Sequence, residues 1–178
     1  MTKIILGIGI PGAGKTTFLK SFADKYKYEY LCVDDMRPEK GLASVNRLVA
    51  SYVTWKEIRE QMKNKLKEGK TVVVDATFAS SDLREEFINL ARKNGAEKVQ
   101  GVFLNTDSET AWKRSEERER KISRKLFDKR VSQIKDNPPL INDGFDSIFT
   151  VDEYENSLLA ETIDCEKRMT YKTPIKLR

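Results

Sequence analysis

The sequence predicts an α/β fold of three layers, α/β/α, around a central parallel sheet of four to five strands. Three observations carry this. Short β-branched runs alternate with stretches of helical periodicity, the pattern of a parallel sheet with helices on both faces. The strand runs are almost wholly apolar, as strands buried on both faces must be. The chain has 178 residues, 39% of them apolar, enough for one domain with a real core and no disulfide or metal staple.

Each element follows from its own residues. Lys3–Ile8 reads as a buried strand. Thr16–Tyr26 carries Phe18, Leu19 and Phe22 at helical spacing. Glu29–Val33 is a second strand, closed by Asp34 and Asp35. Ser44–Lys67 reads as a long helix whose apolar positions follow 3, 4 and 7 spacings, with Gly69 as its stop. Thr71–Val74 is a third strand ending at Asp75. Ser80, Ser81 and Asp82 offer N-caps for a helix through Arg92, which Asn94 and Gly95 end. Lys98–Leu104 is a fourth strand, and Ser108 to about Arg120 a charged helix. A further helix, Lys125–Lys135, stops before Pro138 and Pro139. Ser147–Val151 is a fifth, short strand, and a last helix and tail begin near Glu153. Residues 1–151 are expected to form one domain, with 152–178 packed on it or trailing from it.

The composition excludes much chemistry. There is no histidine, so triads and dyads built on it, His-ligated zinc and a histidine pH switch are all absent. Proton transfer must fall to a carboxylate, Lys, Tyr or Cys. The two cysteines, Cys32 and Cys165, form no disulfide framework and fit a reducing compartment. The N-terminus is too short and Gly-rich for a signal peptide, and no stretch has the length of a membrane span. A soluble, cytoplasmic protein that does not engage membranes is expected. The sequence does not give its oligomeric state.

The net charge of +5 is unevenly spread. Residues 112–135 hold ten basic and four acidic side chains, residues 136–166 nine acids and no base, and residues 167–178 five bases and no acid. A basic segment of this kind either meets phosphates or is a solvated face laced with ion pairs.

Gly9-Ile-Pro11-Gly12-Ala13-Gly14-Lys15-Thr16 matches G-x-x-x-x-G-K-[ST] in full, after a strand and opening a helix. Such a loop turns several N–H groups toward one anion, and the helix adds its positive end. Gly9, Pro11, Gly12, Ala13, Gly14, Lys15, Thr16 and Thr17 are therefore expected to bind ATP or another nucleoside triphosphate. Lys15 would reach the outer phosphates, and the Thr16 hydroxyl would ligate Mg²⁺. The fold class sharpens to a P-loop NTPase of the nucleotide-kinase type.

In open α/β sheets the ligand sits at the carboxyl ends of the strands. Strand two usually lies near strand one, which would bring Asp34 and Asp35 to the cradle. Phosphoryl transfer needs positioning, charge stabilisation and a group that takes the proton of the attacking hydroxyl. Asp34 is the favoured base, with Asp35 the runner-up and Arg37 an electrostatic partner. Asp75 would bind Mg²⁺ through water or hold Arg37. Arg114, Arg118, Lys121 and Lys125 recur at 4, 3 and 4 spacing, which places them on one helical face. A helical lid at about 112–135 is expected to close an arginine over the triphosphate, Arg118 first, then Arg114 and Arg120. Tyr52, Trp55 and Lys56 could stack on a base or sugar, or belong to the core.

The runs KIILGIGIPGAGKTTF, VDDMR and VVVDATF resemble the kinase module of phage polynucleotide 5′-hydroxyl kinases and the P-loop kinases around it. The run from Arg114 and Arg118 through Pro139 to Asp143-Gly-Phe-Asp-Ser-Ile resembles their lid and closing segment. The likeness covers about residues 2–150. It implies that Lys15 and Thr16 serve phosphates and Mg²⁺ and that Asp34 is the general base. It further implies that Arg37 contacts the acceptor-side or scissile phosphate and that Asp75 orients Arg37 or the acceptor. Asp34, Asp35, Arg37, Asp75 and Thr77 are together expected to bind the acceptor substrate. Arg118 or a neighbour would be the lid arginine. Phe78 stands where many relatives carry Asn, and Ile122-Ser123 replaces a frequent Val-Pro pair. No D-x-D-G-T phosphatase signature is present.

Three functions are therefore carried forward. One is an ATP-dependent kinase acting on the 5′-hydroxyl of RNA or DNA. Another is a small-molecule kinase of the same fold, for a nucleoside, sugar or nucleotide-sugar, toxin-type kinases included. The last is a non-catalytic nucleotide-binding switch.

Overall fold

The computed structural model describes residues 1–36, 47–118 and 121–151. The expectations for Arg37, Arg120, Cys165 and the helix after Glu153 lie outside the described residues, as does residue range 44–46. Five parallel strands form one sheet in the order β2-β3-β1-β4-β5. They are β1 (Lys3–Ile8), β2 (Glu29–Cys32), β3 (Val72–Asp75), β4 (Lys98–Leu104) and β5 (Ser147–Val151). The helices are α1 (Lys15–Tyr26), α2 (Arg47–Lys67), α3 (Ser81–Lys93), α4 (Ser108–Glu117) and α5 (Arg124–Asp136), with a 3₁₀ turn at Ile141–Asp143.

Strand two lies near strand one, as expected, but not beside it, because β3 lies between them. The register pairs Asp75 with Gly7 of β1 on one side and with Cys32 of β2 on the other. Asp75 thus ends the strand next to the phosphate loop, one strand closer than Asp34. Local periodicity finds strands but does not order them. Right-handed crossovers then fix the face on which each connecting helix lies. The connection through α1 runs from β1 out to β2, whereas α2 and α3 run in the opposite direction along the sheet. Opposite directions at constant handedness put α1 on one face and α2 with α3 on the other, which gives the three layers.

The sheet is buried on both sides. Ile4, Leu6, Ile8, Val72, Val73, Val74, Val99 and Val102 are fully buried, as are Ile58 and Met62 of α2 and Phe87 of α3. Gly69 closes α2 in a Schellman turn. It has φ 76°, its N–H donates to Leu66 O at 2.9 Å, and Lys70 N–H donates to Lys65 O at 3.1 Å. Ser80 takes the N-cap position of α3, but its hydroxyl makes no capping bond. Among the described residues no helix is long and apolar enough to cross a membrane.

Candidate active site

Residues 9–16 leave β1 and enter α1 as a tight loop. Gly9 N–H donates to Thr77 O at 3.3 Å, and Ala13 N–H turns back to Ile10 O at 3.2 Å. From the other side, the Thr106 hydroxyl donates to Ala13 O at 3.0 Å. Gly12 has φ 80°. A Cβ there would stand 2.6 Å from Ser115 Oγ and inside the van der Waals radius of the Ala111 carbonyl oxygen. Only glycine allows both this backbone and so close an approach of α4. The helix that carries Arg114 and leads into Arg118 is therefore seated directly on the phosphate loop.

The Lys15 ammonium is buried and donates to Gly9 O and Ile10 O, both at 2.9 Å. Burial pushes its pKa below the usual lysine value, while Asp75 and Asp34 pull it back up and Arg118 presses it further down. One cation thus feels both the expected base and the expected lid arginine.

Asp75 is the polar hub. Its Oδ2 accepts hydrogen bonds from the Thr16 hydroxyl at 2.7 Å and the Tyr30 hydroxyl at 2.8 Å, with Cys32 Sγ 3.7 Å away. Desolvation, then Asp75, pushes the Cys32 thiol up to about 11 and raises the Tyr30 hydroxyl well above the ordinary tyrosine value. Val33 N–H donates to Asp75 O at 3.1 Å, which leads the chain from β2 directly into Asp34 and Asp35.

The segment after Asp75 carries Thr77 and Phe78. Phe78 is buried with φ 44°, a left-handed backbone that Asn adopts readily and Phe rarely. Its carbonyl accepts a bond from Arg84 Nη1 at 3.0 Å, and its ring packs edge-on against Phe87 and Trp55. Arg84 is fully buried. It also bonds Asp143 Oδ2 at 2.6 Å and Pro138 O at 3.2 Å. One guanidinium thereby ties the Phe78 loop to the chain leaving α5.

The lid differs from its expected form. α4 ends at Glu117, and Arg118 is extended with φ −73° and ψ 145°. Ser123 caps the next helix by accepting from Leu126 N–H at 3.3 Å. Arg114, Arg118, Lys121 and Lys125 therefore do not share one helical face, because the helix breaks between them. The break turns Arg118 away from the ladder of α4. Arg124 instead stacks over Trp112 at 4.8 Å and pairs with Asp128 at 2.9 Å.

These parts enclose a cleft of about 540 Å³, the size of a small-ligand site. Its walls include Pro11, Gly12, Gly14, Lys15, Thr16, Thr17, Asp34, Asp35, Asp75, Thr77, Arg114 and Arg118. Gly9 and Ala13 lie outside that wall, as the backbone on which the loop turns. Sequence reasoning missed Arg130 and Tyr30. Arg130 lines the cleft from α5, where nothing in its local pattern sets it apart from other basic residues. Of the aromatic pair, Trp55 lines the cleft while Tyr52 is 70% exposed.

The donors suit Mg²⁺. Among the described residues no group of three or more His, Cys, Asp and Glu could hold a metal by itself. A hydroxyl and a carboxylate meet at Thr16 and Asp75, the sparse oxygen set of a cation that relies on phosphate oxygens and water for its other ligands.

The family model described as AAA domain matches residues 4–137. A protein of Acanthamoeba polyphaga mimivirus named as a bifunctional polynucleotide phosphatase/kinase is 27% identical over 109 residues, covering 61% of this chain and 22% of that protein. One of Thermococcus kodakarensis named as an adenylate kinase is 35% identical over 91 residues, covering 51% of this chain and 50% of that one. The chain thus spans half or less of the length of these curated relatives. The crystal structure of a sugar kinase from Janibacter sp. HTCC2649 superposes with a TM-score of 0.65 at 18% identity, over 92% of both chains. The fold is that of the P-loop NTPases, and the relatives support phosphotransfer of the P-loop type while differing in acceptor.

Proposed function

The chain belongs to the AAA domain family, and we propose that it is an ATP-dependent kinase that passes the γ-phosphate to the 5′-hydroxyl of RNA or DNA. The observation that carries this is one cleft walled by Lys15, Thr16, Asp34 and Arg118. Residues 1–151 would form the catalytic unit.

The reaction assigns each group a task. The acceptor oxygen attacks the γ-phosphorus in line, the bond to the β–γ bridging oxygen breaks, and the hydroxyl proton passes to Asp34. Lys15 neutralises charge on the outer phosphates. Arg118, with Arg114 beside it on the lid, meets the charge on the transferring group. Thr16, with Asp75 behind it, would hold Mg²⁺, which would supply neutralisation of phosphate charge.

The acceptor end, beside β2 and β3, is walled by Val33, Trp55, Phe78 and Leu83, with hydroxyls at Ser51, Thr77 and Ser80. An aromatic and aliphatic wall suits the flat face of a nucleobase better than a polyol, which needs a hydrogen-bond partner for each hydroxyl. The mimivirus relative is named for polynucleotide chemistry, and the same acceptor is taken here.

A second reading, a small-molecule kinase, is favoured by one specific feature. Among the described residues, the cleft wall carries the carboxylates of Asp34, Asp35 and Asp75, which can accept hydrogen bonds from the hydroxyls of a small acceptor. The non-catalytic switch is disfavoured, because Asp34 opens onto the same cleft as the phosphate loop. A transfer assay with γ-labelled ATP tests the choice, offering 5′-hydroxyl oligonucleotides, nucleosides and sugars in parallel. Labelled oligonucleotide is expected. Label on a nucleoside or sugar alone replaces the first reading by the second.

A further inference from the structure

We infer that Tyr30 is a positioning residue for the metal-facing side of the cradle: its hydroxyl reaches across the sheet and fixes the carboxylate of Asp75, which in turn sets the direction of the Thr16 hydroxyl. The inference rests on the reading that Thr16 faces Mg²⁺.

The sheet register makes the contact possible. Asp75 is opposite Cys32, and Tyr30 is opposite Val73. Side chains two apart along a strand share a face, so Tyr30 and Asp75 are diagonal neighbours. Such neighbours stand about 7–8 Å apart at the backbone, which a long side chain such as tyrosine can span. The observed 2.8 Å bond closes that gap. On the other flank Asp75 is opposite Gly7, which has no side chain to offer.

Asp75 is 3% exposed. A carboxylate so buried must have its lone pairs filled by donors. Oδ2 takes two short bonds, from Thr16 and Tyr30. Cys32 Sγ, at 3.7 Å, is a weak donor held protonated by its raised pKa. Among the described residues, the short bonds that orient the carboxylate thus come from one group that belongs to the cradle and one that does not.

The chemical consequence falls on Thr16. An ionised carboxylate accepts only, so the hydrogen of the Thr16 hydroxyl points at Asp75. That leaves the oxygen lone pairs of Thr16 for a cation. Removing the Tyr30 hydroxyl deprives Asp75 of one of the two short donors it has among the described residues, which loosens the carboxylate and with it the direction of the Thr16 proton. Groups that orient ligands from behind in this way typically change metal affinity by 10–100-fold when removed.

The test uses the full chain and reads binding rather than turnover. ADP affinity is measured by calorimetry in EDTA and across a Mg²⁺ titration for wild type, Tyr30→Phe, Asp75→Asn and the double variant, with thermal midpoints confirming that each is folded. For Tyr30→Phe, affinity in EDTA should stay within about twofold of wild type, while the Mg²⁺ concentration giving half of the metal-dependent gain rises about 10-fold. The double variant should be no worse than Asp75→Asn alone. A wild-type gain with an unchanged midpoint in Tyr30→Phe overturns the inference, as do effects that simply add in the double variant. Absence of any metal-dependent gain in wild type overturns the cradle reading beneath it instead.

Discussion

At Gly12, backbone geometry and helix contact meet in one atom's width. Gly12→Ala forces a side chain into a positive-φ position and against Ala111 and Ser115. The variant is expected to lose about 2 kcal/mol of stability and most of its nucleotide affinity, read by thermal midpoint and by ADP titration. Lys15 gives a pH signature whose sign is fixed. In the free protein its pKa lies below the ordinary lysine value because of burial, and triphosphate oxygens at the ammonium would raise it. Nucleotide affinity should thus be full below the free-state pKa and fall as pH rises through it. Calorimetry in buffers of different ionisation heat should show proton uptake on binding as pH rises through the free-state pKa. Residues that wall the cleft were legible where they sit in a contiguous spacing: most of the loop from Gly9 to Thr16, the aspartates at the strand ends, and Arg114 and Arg118. Tyr30 was not, because its partner Asp75 lies on a different strand and the pairing depends on strand order. Arg130 was not, because only the placement of α5 brings it to the cleft.

Elements are stabilised by a few identifiable contacts. α1 ends at Lys27, whose N–H donates to Ala23 O with φ 58°. Glycine removes the side-chain penalty of that left-handed backbone, so Lys27→Gly should stabilise the fold by about 0.5–1 kcal/mol in urea unfolding. The larger hub is Arg84, with Asp143 and the carbonyls of Phe78 and Pro138 around it. Arg84→Met fills similar volume but leaves a largely buried carboxylate unpaired. It should cost about 3–5 kcal/mol, far more than a surface pair would. The extent of β1, β4, β5 and the body of each helix was readable from two-residue and 3.6-residue periodicity. That the lid holds two separate helices was readable too, but the end of the first at Glu117 instead of about Arg120, and with it the loss of a shared face from Arg114 to Lys125, was not, because the charged residues continue a helical spacing across the break. The backbone departs from that spacing at Arg118, beside the phosphate cradle, where an extended residue lets its side chain enter the cleft.

The whole molecule is a parallel sheet whose strand ends gather one cleft between an acidic rim and a basic lid. Its layers and class followed from alternating strands and helices. The insertion of β3 between β1 and β2 did not, since it is a property of the crossovers. That insertion makes Asp75, not Asp34, the carboxylate in contact with Thr16 and places Asp34 one strand further out, where an acceptor would arrive. The net positive charge concentrated in residues 112–135 adds an expectation for a polynucleotide acceptor: its KM should rise steeply with salt while that of a nucleoside stays nearly flat. Asp34→Asn offers the most direct test of the proposed chemistry, in a single-turnover transfer of labelled γ-phosphate to a 5′-hydroxyl oligonucleotide with nucleotide affinity measured on the same preparation. Transfer should fall by at least about 10²-fold, the scale of a lost general base, with ADP affinity unchanged. Turnover retained at the wild-type rate would contradict the assignment of Asp34 as the group that takes the acceptor's proton.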